Sequence, residues 1–420
     1  MNQLPILSIV VPTHNRSTLL LKNLKALSQQ PWPVNKFEVV VVADTCYDDT
    51  AEKVVAYSKQ APYQLRLLSH NLRSAAATRN LGAANAHGNV LLFLDDDVIA
   101  RPELVSAHMD AQHQDGIVLG YSKPILPDEP SWWQYDARRW WEDTFREVGR
   151  PGHRFYYRDF FSGNVSMSVE LFNKVGGFDT RITGRLEDYE LGFRLIKSGA
   201  TFHFEKNAIG FHYDNTDLQH WLRRIKEEGA ADVLMGQRHP ELRNILFGNF
   251  DNPSDLRLRF IRKLVFLSIL RDNRFVRLLL YLASISERLR LRGLWRNIVG
   301  TLREYNYWSG VTAAIGGKHS LAAWLQEAPM PPAIESNAPI IDLGKPYRKG
   351  VLQGLLKRAT SLGLRLDLEG IEVLTIPPQP GMEPLKKEHI DSALQELSKQ
   401  QFVPALALHL IRSTMGGVLL

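Results

Sequence analysis

The chain has 420 residues, of which 44% are hydrophobic and 23% charged, and a net charge of +6. That length exceeds one compact core and calls for roughly two to three domains, while the ordinary apolar content excludes a disordered or fibrous chain. The one cysteine, Cys46, excludes an intrachain disulfide and suits a reducing compartment, and the positive balance points to an anionic partner such as nucleotide phosphate, nucleic acid or a membrane surface.

The opening run, MNQLPILSIVVPTHN, lacks a basic leader and is cut by Pro5 and Pro12, so it reads as a first strand over 7–11 and not as a signal peptide. No stretch approaches the ~18 apolar residues that a membrane span needs. A polar loop, Thr13-His14-Asn15-Arg16, leads into a helix over 17–28 with Leu20, Leu24 and Leu27 on one face. A second strand over 37–43 ends at Asp44, and Asp48 and Asp49 cap a helix running to Tyr57. A third strand over 65–68, a small-residue helix over 75–86 and a fourth strand over 90–94 complete the first hundred residues. Strand–helix alternation of this kind makes right-handed βαβ units, hence an α/β fold with a mostly parallel mixed sheet flanked by helices. Three strand-end loops, 13–16, 44–49 and 95–97, then lie side by side at one edge of the sheet. That edge is a ligand crevice.

The fourth strand carries the strongest signal, VLLFLDDDV. Its apolar run reads as buried on both faces and stops on Asp95, Asp96 and Asp97, which must emerge at the carboxyl end. If the chain stays extended, Asp95 and Asp97 leave on one face and Asp96 on the other. Two like charges on one face call for a divalent cation shared with substrate phosphate; the plain alternative is a solvated acidic turn. PTHNR stands where a glycine-rich phosphate turn would follow the first strand, so phosphate falls to metal and basic side chains, Arg79 among them.

Between 116 and 158 the alternation breaks. Trp132, Trp133, Trp140 and Trp141 crowd into ten residues, with Phe145, Tyr156 and Tyr157 near them. They form either a hydrophobic cluster under a long loop or a platform on which the apolar ring faces of a ligand stack. Arg138 and Arg139 would suit an anionic ligand, or merely solvent. FFSGNVSMSV is a further strand over 160–169, followed by a helix and then GGFDTRITGRLEDYELGFRLIKSG. Here Glu187 and Asp188 open a helix after the bend-permitting Gly184-Arg185-Leu186, and two carboxylates in one pocket tend to split in pKa. His212, in GFHYDN, is either structural or a metal ligand.

Beyond 240 the pattern turns helical, and over 256–302 Arg and Lys far outnumber acids. Such a region packs on the preceding α/β part with its charges in water, or lies on an anionic membrane. PMPPAIESNAP, 329–339, is a linker by composition. A small α/β appendage of unassigned role follows: a strand over 340–343, a helix over 348–362, a strand over 371–376 and a helix from Lys387. The divisions are therefore 1–240 (with halves 1–105 and 106–240), 241–328, 329–339 and 340–420.

Four runs in order, PTHNR, VVVADTCYDDT, ATRNLGAANAHGNVLLFLDDDV and GGFDTRITGRLEDYELGFRLIKSG, resemble the family 2 glycosyltransferases of GT-A fold across about 5–235. The resemblance implies an inverting transfer from a nucleotide-sugar donor to a saccharide or lipid-linked hydroxyl, with Mg²⁺ or Mn²⁺. It implies that Pro12, Thr13, His14, Asn15 and Arg16 line the nucleotide pocket with Asp44 on the base, Arg79 near the diphosphate, and Asp95 and Asp96 beside the ribose. It further implies Asp97 as metal ligand with Asp95 and His212, and Asp188 as catalytic base supported by Glu187. Ala43 replaces an acid frequent in the family, and Thr45-Cys46-Tyr47 stands where small residues are common, which bears on base preference. A nucleotidyltransferase, or a carbohydrate-binding scaffold that has lost catalysis, is the alternative. The expected setting is the cytoplasm, with peripheral contact at the inner membrane face through 256–302 and no nucleic acid partner.

Overall fold

The computed structural model describes residues 5–112, 116–182, 186–248, 250, 255–266, 273–330, 334–368 and 370–396. The expectations for Gly184 and Arg185, for 267–272 of the basic region, for 331–333 of the linker and for 397–420 lie outside them.

The elements run β1 (Leu7–Thr13), α1 (Ser17–Leu27), β2 (Phe37–Asp44), α2 (Thr50–Ser58), β3 (Gln64–His70), α3 (Ala75–Ala84), β4 (Val90–Leu94), β5 (Val98–Ala100), α4 (Leu104–Ala111) and β6 (Gly116–Pro124). Then come α5 (Trp132–Val148), β7 (Asn164–Ser168), α6 (Val169–Lys174), α7 (Glu187–Lys197), β8 (Thr201–His212) and α8 (Leu218–Arg238). An eight-stranded sheet has the order β3-β2-β1-β4-β7-β6-β8-β5. Strands β1 to β4 are mutually parallel, β7 is antiparallel to both β4 and β6, and β8 runs parallel to β6. It is the expected mixed, mostly parallel α/β sheet. This polarity brings the ends of β1, β2, β4 and β8, and the start of β7, to one edge.

Period-two alternation fills both faces of the sheet. Ile9, Val11, Val39, Val41, Leu92 and Leu94 pack under α1, α2 and α4, and Val10, Leu91 and Phe93 pack under α3, α6 and α7. The small residues of α3 have a steric reason: a Cβ on Gly82 would stand 2.3 Å from Val10 Cγ1. The helix therefore lies close on β1, and Arg79 on it reaches the sheet edge. Under the sheet's other half, buried His108 is held between Asn164 Oδ1 and Ser166 Oγ, both at 2.9 Å. Burial lowers its pKa to about 4.

The tryptophan-rich stretch is a helix and not a loop. Ser131 caps α5 by accepting from the Gln134 N–H, and the Gln134 side chain returns the bond to the Ser131 N–H. Ser-x-x-Gln was the signal available in the sequence. The strand expected over 160–169 is confined to Asn164–Ser168.

A helical region follows: α9 (Arg243–Phe247), α10 (Leu256–Phe266), α11 (Asn273–Arg288), α12 (Arg292–Ile315) and α13 (Lys318–Gln326). Helices α8 and α12 cross at two glycines, where added Cβ atoms would meet backbone oxygens at 2.1 Å (Gly229) and 1.9 Å (Gly310). Among the described residues, no helix is long and apolar enough to cross a membrane. The C-terminal part has β9 (Ile340–Asp342), α14 (Lys349–Leu362), β10 (Leu364–Leu368), β11 (Ile371–Ile376) and α15 (Lys387–Glu396), with β10 central in a three-stranded sheet. It docks on the part of the chain that carries the eight-stranded sheet through Tyr157 N–H to Gly381 O at 2.8 Å and Arg154 Nε to Glu383 O at 2.9 Å.

Candidate active site

Beyond Leu94 the backbone does not stay extended. The Val98 N–H closes a turn onto Asp95 O at 3.1 Å, so the expected alternation of the three aspartates fails. Asp96 and Asp97 instead share one cation: Arg16 Nη1 donates to Asp96 Oδ1 at 3.0 Å and also to Asp97 Oδ2. Thr13 Oγ1 donates to Asp96 Oδ2 at 2.7 Å. Burial pushes Asp96 up to about 7 against the pull of Arg16, and burial also raises Asp97.

Asp95 goes the other way. Its carboxylate accepts from Arg79 Nη2 at 2.8 Å, and Arg79 Nη1 donates to Glu187 Oε1 at 3.2 Å. The Arg79 side chain is only 7% exposed and its Nε has no partner. It thus ties the end of β4 to the first residue of α7, reaching Glu187 from 108 residues away in sequence. A Cβ at Gly163 would stand 2.8 Å from Asp95 Oδ2, so glycine there leaves the carboxylate its room.

Leu186 enters α7 in the left-handed region, φ 75°, where a side-chain-bearing residue is strained. Asp188 Oδ1 accepts from the Tyr189 N–H at 2.8 Å. The helix is pinned behind: Glu190 pairs with Arg194 at 2.6 Å and His239 at 3.1 Å, and Arg194 reaches the carbonyls of Val175 and Gly177. Asp188 therefore sits on a fixed base.

At the ends of β1 and β2, His14 Nδ1 lies 2.7 Å from Asp44 O, and Asn15, at φ 51°, accepts from the Tyr47 N–H at 2.9 Å. Pro12 is held inside β1, opposite Val42. The Asp44 carboxylate is engaged by its own chain: Thr45 Oγ1 at 2.8 Å and the N–H groups of Arg73 and Ser74 at 2.9 and 2.7 Å donate to it. Burial opposes its ionisation, but those bonds hold it below the usual carboxylate range. Exposed Tyr47 stands edge-on to His14 at 6.1 Å.

His212 Nε2 lies 3.9 Å from Asp97 Oδ1, beyond hydrogen-bond reach, and its Nδ1 is buried without a partner. Among the described residues, no three His, Cys, Asp or Glu side chains gather as a metal site. Asp95, expected as a ligand beside Asp97 and His212, is drawn off by Arg79 instead. What remains is a carboxylate and an imidazole with open valence. Such a set suits a hard divalent cation that takes its other ligands from diphosphate and water.

The four tryptophans separate. Trp132 packs edge-on against Trp295 of α12 at 5.7 Å, and Trp133 lies on Trp221 of α8 at 4.1 Å, so both face neighbouring helices. Trp141 meets His212 at 5.6 Å and Phe161 at 5.2 Å, and Phe161 meets Tyr189 at 6.4 Å. Trp140, 52% exposed, rests on Trp141. Phe161, absent from the expected set, completes an aromatic wall from His212 to the helix of Asp188. Only three-dimensional neighbours mark it. A hollow of about 1120 Å³ lies elsewhere, between α7 and the C-terminal part.

Residues 8–176 match the family described as glycosyl transferase family 2, and 144–216 match the N-terminal domain of galactosyltransferase. Over 8–176 the chain thus matches the family 2 glycosyltransferases, and its relatives support a glycosyltransferase that depends on a nucleotide sugar. It is similar to validoxylamine A glucosyltransferase of Streptomyces hygroscopicus subsp. jinggangensis, 28% identical over 62% of this chain and 68% of the relative. The same enzyme of subsp. limoneus is 28% identical over 62% of this chain and 64% of its own length. A mannosyltransferase from Pyrobaculum calidifontis, solved with GDP-Man and Mn²⁺, superposes with a TM-score of 0.47 at 17% identity, covering 73% of this chain and 88% of that one.

Proposed function

We propose that this cleft transfers a sugar, with inversion, from a nucleotide-sugar donor to a hydroxyl of a saccharide, free or carried on a lipid. The observation that carries the reading is the Arg79 bridge, which brings the acids at the end of β4 and the Glu187–Asp188 pair of α7 into one cleft. Asp97 and His212 would hold Mg²⁺ or Mn²⁺, which when bound offsets charge on the leaving diphosphate. Arg16, 42% exposed on its pairing with Asp96 and Asp97, swings within reach of phosphate; Thr13, His14 and Asn15 frame the nucleoside, and Asp95 faces the ribose. Asp188 takes the proton of the attacking hydroxyl, with Glu187 fixed beside it by Arg79. Trp140, Trp141 and Phe161 stack the acceptor. We divide the chain into catalytic residues 1–240, a helical region 241–328, a linker 329–339 and an appendage 340–420.

The test is Asp188→Asn, which keeps the shape and removes the proton acceptor. Transfer from a matched nucleotide sugar should fall by about 10² to 10⁴ with donor affinity unchanged. Near-normal transfer would remove Asp188 from the chemistry, and lost donor binding would move it to the donor site. A panel of nucleotide sugars that releases no nucleoside diphosphate would favour the non-catalytic scaffold.

A further inference from the structure

Helix α11 is apolar on both sides. Its inner face, Val276, Leu279, Leu280 and Ala283, packs against α12 at Trp295, Ile298, Val299 and Leu302. Its outer face carries Leu278, Tyr281, Leu282 and, just past its end, Leu289, which are 39–65% exposed and spaced three, four and seven apart. Leu256 and Phe260 of α10, and Leu291 and Leu294 around the start of α12, are exposed too. Eight of the eighteen exposed large apolar side chains among the described residues thus fall within 256–294. Scattered exposed leucines are ordinary; a concentration of this kind marks a contact surface.

The charge between them says what the surface meets. Residues 256–302 hold eleven Arg and Lys against two acids. Arg277 and Arg288 stand on the exposed side of α11 among its leucines, and Arg290 follows in the turn to α12. The acid Glu287 is already engaged, accepting from the Trp132 N–H at 2.7 Å. A protein partner of ordinary composition would leave these arginines unmatched. An anionic bilayer takes leucine and tyrosine at its acyl boundary and lets arginine reach up to lipid phosphate.

We infer that the outer face of α11, with the flanking ends of α10 and α12, docks this protein on an anionic lipid bilayer. The same face is tied to the aromatic wall by one helix. Its first turn is held by Glu287 and by Asp136, which pairs with Arg292 at 2.9 Å and Arg296 at 3.2 Å, and its middle bears Trp140 and Trp141. Docking therefore holds α5 between bilayer and cleft, and the acceptor class that suits this layout is a membrane-borne, lipid-linked saccharide. That last step rests on the glycosyltransfer proposed above; the docking does not.

Flotation of the full chain with phosphatidylcholine vesicles, with and without phosphatidylglycerol, tests it. Partition onto anionic vesicles should exceed that onto neutral ones at least tenfold and be released in 1 M salt, where charge reaches only about 3 Å. R277E combined with R288E should cut it by about tenfold or more, and so should Leu278→Asp combined with Leu282→Asp. Nucleoside diphosphate release from a soluble donor should stay at its original rate in both variants, since neither touches the cleft. If that release is missing in the parent chain while flotation persists, the docking stands and the enzyme reading fails. Equal partition on neutral and anionic vesicles, no flotation, or unaltered flotation of the charge-reversed variant would overturn the proposal. So would sedimentation showing a dimer that the same variants dissociate.

Discussion

Replacing Arg79 with methionine should loosen the cleft from both sides at once. The guanidinium neutralises Asp95 and Glu187 in a place that is nearly sealed, and removing one partner of a buried ion pair costs about 3–5 kcal/mol. The lower end applies here, because Asp95 is 32% and Glu187 15% exposed, so water reaches the abandoned carboxylates. At about 3 kcal/mol, a unit of this size should melt about 6–12 °C earlier. Differential scanning calorimetry of Arg79→Met measures that shift. The companion variant Arg79→Met with Glu187→Gln should recover at least about 1 kcal/mol, because a neutral amide needs no counter-charge. A melting temperature of Arg79→Met within 1–2 °C of the parent, or strict additivity in the double variant, would show that the bridge does not hold β4 and α7 together. The transfer rate in the same preparations should drop with the single variant, since Asp188 follows Glu187 on a helix that has lost its anchor.

Two further outcomes follow from the same geometry. Asp97→Ala should abolish Mn²⁺-dependent binding of a nucleoside diphosphate in titration calorimetry while leaving the far-ultraviolet circular dichroism intact; undiminished binding would remove Asp97 from the donor site. Buried His108, with its pKa lowered from 6.5 to about 4, contributes stability that is full above pH 6.5 and is lost as pH falls toward 4, about 2 kcal/mol between pH 7 and 5; urea melts of His108→Gln should lose that part of the pH dependence, and an unaltered slope would assign it elsewhere.

Much of the first hundred residues was legible in the sequence because local rules are strong there. A five-residue apolar run ending in acids can only be a buried strand opening at its carboxyl end, and β4 is that strand. What spacing cannot show is a partner far along the chain. Arg79 looked like a cation free to meet phosphate, yet its partners lie 16 and 108 residues away and hold it inside. The tryptophans separate for a related reason. Trp132 and Trp140 sit on the same helix eight residues apart, but the first meets the helical region and the second the cleft. Composition alone gave them one environment.

The three aspartates show how far a short turn can redirect chemistry. Had the backbone stayed extended, Asp95 and Asp97 would have formed the like-charged pair that demands a cation. The turn at 95–98 instead gives each side its own arginine, one nearly buried and one 42% exposed. The difference in burial sets the difference in task. Withdrawing Arg79 would leave Asp95 and Glu187 without their cation, and its own side chain is buried, so it serves as scaffolding for β4 and α7. Arg16, with water already at its side chain, can leave once another cation takes over its buried partners Asp96 and Asp97. On the proposed reading, Asp97 is therefore the carboxylate that can change partners, from a guanidinium to a divalent ion beside His212. The freed arginine then faces the phosphate that arrives with that ion. A cleft built this way keeps its acids neutralised when empty and needs no rearrangement of the sheet to receive its donor.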